Sequence, residues 1–539
     1  MDEPLHVIEV NGSKIFFNLL LYALLAFASS LAICLEDSAA FQSTALKTSQ
    51  FLHGMGYTQF PWTFVVALQR RLMEMGLWPS SYKEPKSAAT VQLLRNFQIT
   101  NLHCQTPSTE FYEVLEFISD GTGLQKLPER EAQWMTMLRQ YRNIKTAKRC
   151  GRGHDTKGIK GTSYGEAAVP CRACPHLERN LPAGWDKVSA DDQFLYALYL
   201  CKDANFGQKA RARPNDDRDP SLSPGWGCFV LNDLYMAEVS KRATQEEISH
   251  CVGFKAISTA NTKKTKGLCA TGISAVSCAR HETFRPNGIG DLQVGERYIN
   301  MDFLALFMLI GCGLSLVFFS YDIACQWVVN FRSRMAQFPE HMHLPNSLKL
   351  IFKVPKFYLI AHARKCLAKF SFNYTEGAAK TDGEGIEWNW SWLNACSRSL
   401  SMMKAGARWD MLDDFTNFWN WRKTINLETS LVKKLVKAIP EAVVNAHAFT
   451  AFTDALQDDH TKDLLIWQDQ VVQWEQGLSN FCPYDMREET LTLAQVKKEL
   501  TEEEHQQEVT GMNTSISTLS GLVIEGLEIE ELQYVLLVR

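Results

Sequence analysis

Apolar positions recur at helical spacing through the first third of the chain. Val91, Leu94 and Phe97 form one set and Phe111, Val114 and Phe117 another, which predicts helix over Ser87–Glu116. A further helix is predicted over Gln133–Thr146, and Trp78-Pro79 and Glu84-Pro85-Lys86 interrupt the pattern before it. Gly151–Asp155 reads as a loop. Beyond Pro170 the pattern shortens. Asp192–Leu200 alternates aromatic and aliphatic residues, and Gly225–Leu231 and Gly272–Val276 read as further strands. Phe303–Ser320 holds a helical turn followed by a strand, and Lys349–Ala361 holds a strand broken by Pro355. Asp382–Asn394 opens a helix carrying Trp388, Trp390 and Trp392, and after about residue 425 the chain is helical and increasingly acidic, as in Glu499–Glu508. Strands first, then a carboxylate-bearing helix, predict a mixed α+β core with helical domains at both ends. The expected divisions are an irregular region over 1–60, a helical domain over 61–165, the core over 166–425 and a helical, acidic region over 426–539.

Composition adds little to this division. With 539 residues there is room for two to four structural units, and a net charge of −4 makes no global case for a polyanionic partner. The basic stretches Lys145–Arg152 and Asn261–Lys266 read as solvated faces or as local nucleic-acid contacts. Fifteen scattered cysteines argue for a reducing compartment rather than a disulfide scaffold. The apolar run Ile15–Leu35 is long enough to cross a bilayer but lacks a basic flank. It reads as a buried helix, a membrane anchor or translated intron. No GxxxxGK[ST] loop and no GxSxG elbow occurs, so phosphate-loop NTPase and serine-hydrolase chemistry have no support.

Carboxylates supply the candidate chemistry. Asp203 and Asp322 each follow an apolar strand, and Glu384 and Glu387 are three apart at the start of a helix. Hard, hydrated Mg²⁺ takes carboxylate oxygens, and two-metal phosphodiester chemistry needs two or three such acids converging from different elements. Each alone could be a surface acid or a cap, as Asp382 could be for the helix beginning near it. Sulfur and imidazole supply a second candidate. Cys171/Cys174 is a CxxC pair and Cys278/His281 a CxxH pair, which together could complete one Cys3His zinc site. His362 and Cys366 are a competing pair, and Cys325 is expected to pack in the helix after Asp322.

The wording around these residues resembles the Kyakuja-Dileera-Zisupton transposases of fungal genomes. Tyr321–Trp327 is similar to that family's YDIACQW, and Thr381–Glu387 to its TDGEGIE. Cys171–Pro175 with Asn180–Trp185, Cys269–Gly272, Cys278–His281, Gly290–Gln293, Gly295–Tyr298 and Leu412–Asp414 match further motifs, so the resemblance spans roughly residues 70–535. It implies a nuclear, ribonuclease-H-like (DDE) enzyme that cleaves and joins DNA at transposon ends and target sites, with a homo-oligomer among its expected assemblies. Two Mg²⁺ ions would be held by Asp203, Asp322 and Glu387 or Glu384, with Zn²⁺ in the cysteine cluster. The chain departs from the family at Trp388, where an Arg is usual, at Tyr358, where His is usual, and at Gly207, where Arg is usual. The family's N-terminal cysteine-cluster segment is expected to be replaced by the apolar run. These departures keep open an inactive relic, a partial or decayed copy that binds DNA or protein, and a membrane-anchored protein is a third reading.

Overall fold

The computed structural model describes residues 61–83, 85–214, 218–242 and 267–485, two short strands at Ile8–Val10 and Ser13–Ile15, and a few positions between 502 and 533. The run Ile15–Leu35 beyond Ile15 itself, the basic stretch Asn261–Lys266 and most of Glu499–Glu508 therefore lie outside the described residues. Two compact units divide the chain, Met1–Ala442 and Val443–Arg539.

From residue 61 the described part of the first unit opens with four helices: α1 (Pro61–Glu74), α2 (Val91–Cys104), α3 (Ser108–Ser119) and α4 (Glu131–Arg149). A two-stranded hairpin, Leu77–Pro79 against Ala88–Thr90, joins α1 to α2. Thr90 caps α2 by accepting the Leu93 N–H at 3.1 Å. The single helix expected over 87–116 is thus three elements. Gln105 takes a left-handed conformation (φ 57°) after α2, and Pro107 sets the start of α3. Leu93, Leu94, Phe97, Phe111, Leu115, Trp134 and Leu138 make the module's core, whereas Val114 and Phe117 are exposed.

The second layer is a five-stranded mixed sheet. Its strands are β1 (Leu198–Asn205), β2 (Gly272–Cys278), β3 (Phe284–Leu292), β4 (Leu316–Ser320) and β5 (Lys349–Lys353), in the order β5-β4-β1-β2-β3. β1, β4 and β5 run parallel, and β1, β2 and β3 are consecutive antiparallel neighbours. Both faces of β4 are buried, which is why Leu316–Ser320 reads as an unbroken apolar run. Side-chain alternation splits each strand between two cores. Leu198, Leu200, Val317 and Phe319 pack on one face, Tyr199, Cys201, Leu316 and Phe318 on the other. The first face is covered by α5 (Asn232–Lys241) and α6 (Tyr298–Phe307), the second by α7 (Gly385–Leu393) and α8 (Ala405–Ile425).

Three expectations change here. The alternation over Asp192–Leu200 is mostly a 3₁₀ segment, Ala190–Tyr196, and β1 runs on to Asn205, so Asp203 lies inside the strand rather than at its end. Gly225–Leu231 is not a strand. Only Phe229 bridges, to Ile289, and Gly227 lies so close to the Asp413 carboxylate that any side chain there would collide. β3 was not anticipated, because Pro286, Gly288 and a left-handed Asn287 (φ 51°) disguise it.

α8 straps the unit together. Its Asn420 accepts the Phe284 N–H and donates to the Val169 and Phe284 carbonyls, each at 2.8 Å. Fully buried Arg408 pairs with Asp291 at 2.5 Å, and Arg142 of α4 pairs with Asp414. A long helix, α9 (Leu427–Glu475), follows, and His460 within it is non-helical (φ −133°). Among the described residues no helix is long and apolar enough to cross a membrane.

Candidate metal centres

Asp203, Glu296 and Asp322 bring one carboxylate oxygen each to within 4.8 Å of one another. They come from three places: the interior of β1, the connection between β3 and α6, and the residue two beyond the end of β4. Parallel pairing sets Cys201 of β1 opposite Ser320 of β4, so Asp203, within β1, and Asp322, just past β4, each lie two residues beyond that pair. Each acid is oriented by a donor. Trp390 Nε1 donates to Asp203 at 2.8 Å, the Ile323 N–H donates to Asp322 at 2.8 Å, and the Tyr321 hydroxyl donates to Glu296.

Gathering acids in a shielded place raises their pKa values. Burial, then the charges of Asp322 and Glu296, hold Asp203 well above the usual carboxylate range. Burial lifts Glu296 to about 8 and Asp322 to about 6. Lys202 lies behind them, with its ammonium over the rings of Tyr321 (4.3 Å) and Trp327 (2.9 Å) and no hydrogen-bond partner. Burial pushes its pKa well down. This is a hard-oxygen donor set with an unbalanced excess of acid, which fits Mg²⁺.

The two glutamates of the TDGEGIE stretch part company. α7 starts at Gly385, three residues later than expected near Asp382, so Glu384 is the N-cap and Glu387 lies in the first turn. Glu384 accepts the Phe357 N–H at 2.8 Å, and Asp382 accepts the Glu384 N–H at 3.1 Å. Glu387 faces solvent, accepts the Tyr358 hydroxyl at 2.9 Å, and acts electrostatically on both Asp203 and Asp322. Gly383 allows this turn: its φ is +81°, and a side chain there would strike Ser320 and Phe372. Of the three tryptophans, Trp390 is in the core and Trp388 is 64% exposed.

The cysteine–histidine set also converges. Cys171, Cys174, Cys278 and His281 each place a ligand atom within 4.8 Å of the others. Cys278 Sγ lies 3.3 Å from His281 Nδ1 and 3.3 Å from Cys174 Sγ. Hydrogen bonds from Cys174 and Cys278 hold the Cys171 thiol well below its ordinary range. Burial alone would lower His281, but Cys171 and Cys278 outweigh it and raise it to about 9. Three sulfurs and one imidazole nitrogen are the composition of a closed tetrahedral zinc site.

Residues 196–420 match the Kyakuja-Dileera-Zisupton transposase family, the span that carries β1 to β5, α7 and most of α8. The chain belongs to the Kyakuja-Dileera-Zisupton transposase family. Residues 63–123 match the CxC2-like cysteine cluster associated with these transposases. This overturns the expectation that the apolar run at 15–35 had replaced that segment, which instead forms α1 to α3. Its cysteines are what is missing: the matched residues contain only Cys104, which is exposed, so aromatic and aliphatic packing holds the module. No curated protein and no solved structure matches this Kyakuja-Dileera-Zisupton chain. Glu296 and Lys202 escaped the sequence reading. Glu296 belongs to the Gly295–Tyr298 family wording, but it follows no strand end that would have marked it as a ligand.

The basic stretch Lys145–Arg152 is largely engaged within the fold. Lys145 donates to Gln98, Arg149 to the Ala167 carbonyl, and Arg152 pairs with Asp155 and Glu166.

Proposed function

We propose that this chain is a DNA transposase whose ribonuclease-H-like core cleaves and joins DNA strands at a site formed by Asp203, Asp322, Glu387 and Glu296. The observation that carries the reading is the meeting of Asp203, Glu296 and Asp322, from separate elements, beside the paired inner strands β1 and β4, within the span that matches the family. The strand order β5-β4-β1-β2-β3, with three antiparallel strands and two parallel ones, is also what a ribonuclease-H-like core requires. Two bound Mg²⁺ ions would activate the attacking oxygen and stabilise the leaving one.

The chain's own groups prepare that chemistry. Asp203 and Asp322 are fixed by strand pairing and by the Trp390 and Ile323 N–H donors, so they would present their oxygens without reordering. Tyr358 holds the more exposed Glu387, and Glu384 secures the start of α7 against Phe357. The DNA partner, both as transposon end and as target, follows from the family, and DNA as substrate implies nuclear residence. Cys171, Cys174, Cys278 and His281 would hold a structural zinc that joins the segment before β1 to the β2–β3 hairpin.

The test is cleavage of DNA carrying the flanking terminal repeats, with purified protein and Mg²⁺. Cleavage that is lost in Asp203→Asn and Asp322→Asn variants of unchanged fold supports the proposal. DNA binding without cleavage by the wild type would favour the relic instead.

A further inference from the structure

A third cluster lies beside the carboxylates. Cys325 stands three residues past Asp322, in the short helix Ala324–Trp327. His362 follows the helix Lys356–Leu359, and Cys366 lies within Arg364–Lys369. Cys325 Sγ is 3.3 Å from His362 Nδ1, and one ligand atom from each of the three residues falls within 4.8 Å of the others. His362 is 7% exposed and Cys366 5%. The cluster therefore unites two stretches far apart in the chain, and each is tied to the sheet nearby. The Tyr321 N–H donates to the Lys353 carbonyl at the exit of β4, and the Val354 N–H donates to the Phe370 carbonyl at the exit of β5.

We propose that Cys325, His362 and Cys366 form a second site for a soft divalent metal, of the zinc class, distinct from both the carboxylate centre and the Cys171 cluster. Two sulfurs and one imidazole favour zinc over Mg²⁺, which the neighbouring oxygen-only set favours. Three protein ligands leave the fourth tetrahedral position to water or to an incoming donor. The ion would pin the exit of β4, which carries Asp322, to the segment after β5, which carries Tyr358. Its role for the carboxylates is positioning, and its existence does not depend on whether the chain cleaves DNA.

Zinc content of the purified full chain, measured by mass spectrometry of the metal, tests this. The Cys366→Ser chain should hold one zinc fewer than the wild type, and Cys171→Ser should remove a different zinc, so that the double variant holds neither. Equal zinc in wild type and Cys366→Ser overturns the proposal, as does a Cys325–Cys366 disulfide that protects both thiols from alkylation in the freshly purified chain. If Cys366→Ser does not fold, Cys366→His keeps a ligand and should retain the full zinc content. Cobalt titration of the wild type then decides. Two separable sets of thiolate–cobalt bands support the second site, and a single set that Cys171→Ser abolishes overturns it.

Discussion

Glu384 and Glu387 show how three positions of sequence separate two tasks. Glu384 spends its carboxylate on the Phe357 N–H, whereas Glu387 keeps one oxygen clear of the Tyr358 hydroxyl and acts on Asp203 and Asp322. Glu387→Gln is expected to abolish Mg²⁺-dependent cleavage with the fold unchanged. Glu384→Gln should retain activity and cost stability, about 1 kcal/mol for a weakened hydrogen bond. Single-turnover cleavage and denaturant unfolding of both variants check this pair. Glu296→Gln should weaken Mg²⁺ binding by roughly 10- to 100-fold, the range seen when groups supporting a metal site are removed, which titration calorimetry would read. The pH dependence of the metal-free protein follows from Asp203, Asp322 and Glu296. Their folded pKa values lie above those of the unfolded chain, so the folded state binds more protons, and the stability this brings is present at low pH. It is lost as pH rises through about 6 for Asp322 and about 8 for Glu296. Thermal melting from pH 5 to 9 should therefore show Mg²⁺ stabilising the protein most at the alkaline end. A Mg²⁺ effect that is flat with pH would count against the assignment. Asp322 was legible in the sequence because it closely follows an unbroken apolar strand. Glu296 was not, because a ligand delivered by a connection has no periodicity to announce it.

At the scale of elements, the strands best read from sequence are those buried on both faces. β4 and β2 are buried along their whole length and read as apolar runs, whereas β5, an edge strand between two lysines, shows only through Leu350, Ile351 and Phe352. β3 is hidden because Pro286, left-handed Asn287 and Gly288 break its pattern, and side chains from elsewhere help the ladder with β2 to hold its first residue. Asn420 is the clearest case, with three hydrogen bonds to the backbone at Phe284 and Val169. Asn420→Ala would leave a buried donor and acceptors unpaired, and is expected to cost roughly 3 kcal/mol of unfolding free energy. Urea unfolding of the variant against wild type measures it. The α2–α3 break is likewise a matter of two residues, Gln105 and Pro107, inside a pattern that otherwise continues.

On the scale of the whole molecule, helix and sheet content were readable from pattern, but the order of the strands was not, since it depends on pairings between distant segments. The division at Ala442 predicts that a chain ending there keeps the first unit's sheet and whatever zinc the full chain binds through it. Hydrogen exchange of the β1 and β4 amides, and zinc per chain, should match the full-length protein, and loss of either would show that the second unit is needed. The central strand β1 carries the first acid of the site, Asp203, while its neighbour β4, the helix α7 and the strap α8 all come later in the chain. Synthesis therefore delivers the pieces in an order that leaves the proposed centre incomplete until the ribosome has passed Glu387. If the proposed site cuts DNA, a copy interrupted by a frameshift or stop codon before that point would make a fragment unable to do so, and damage to the gene would disarm its product rather than leave a loose nuclease.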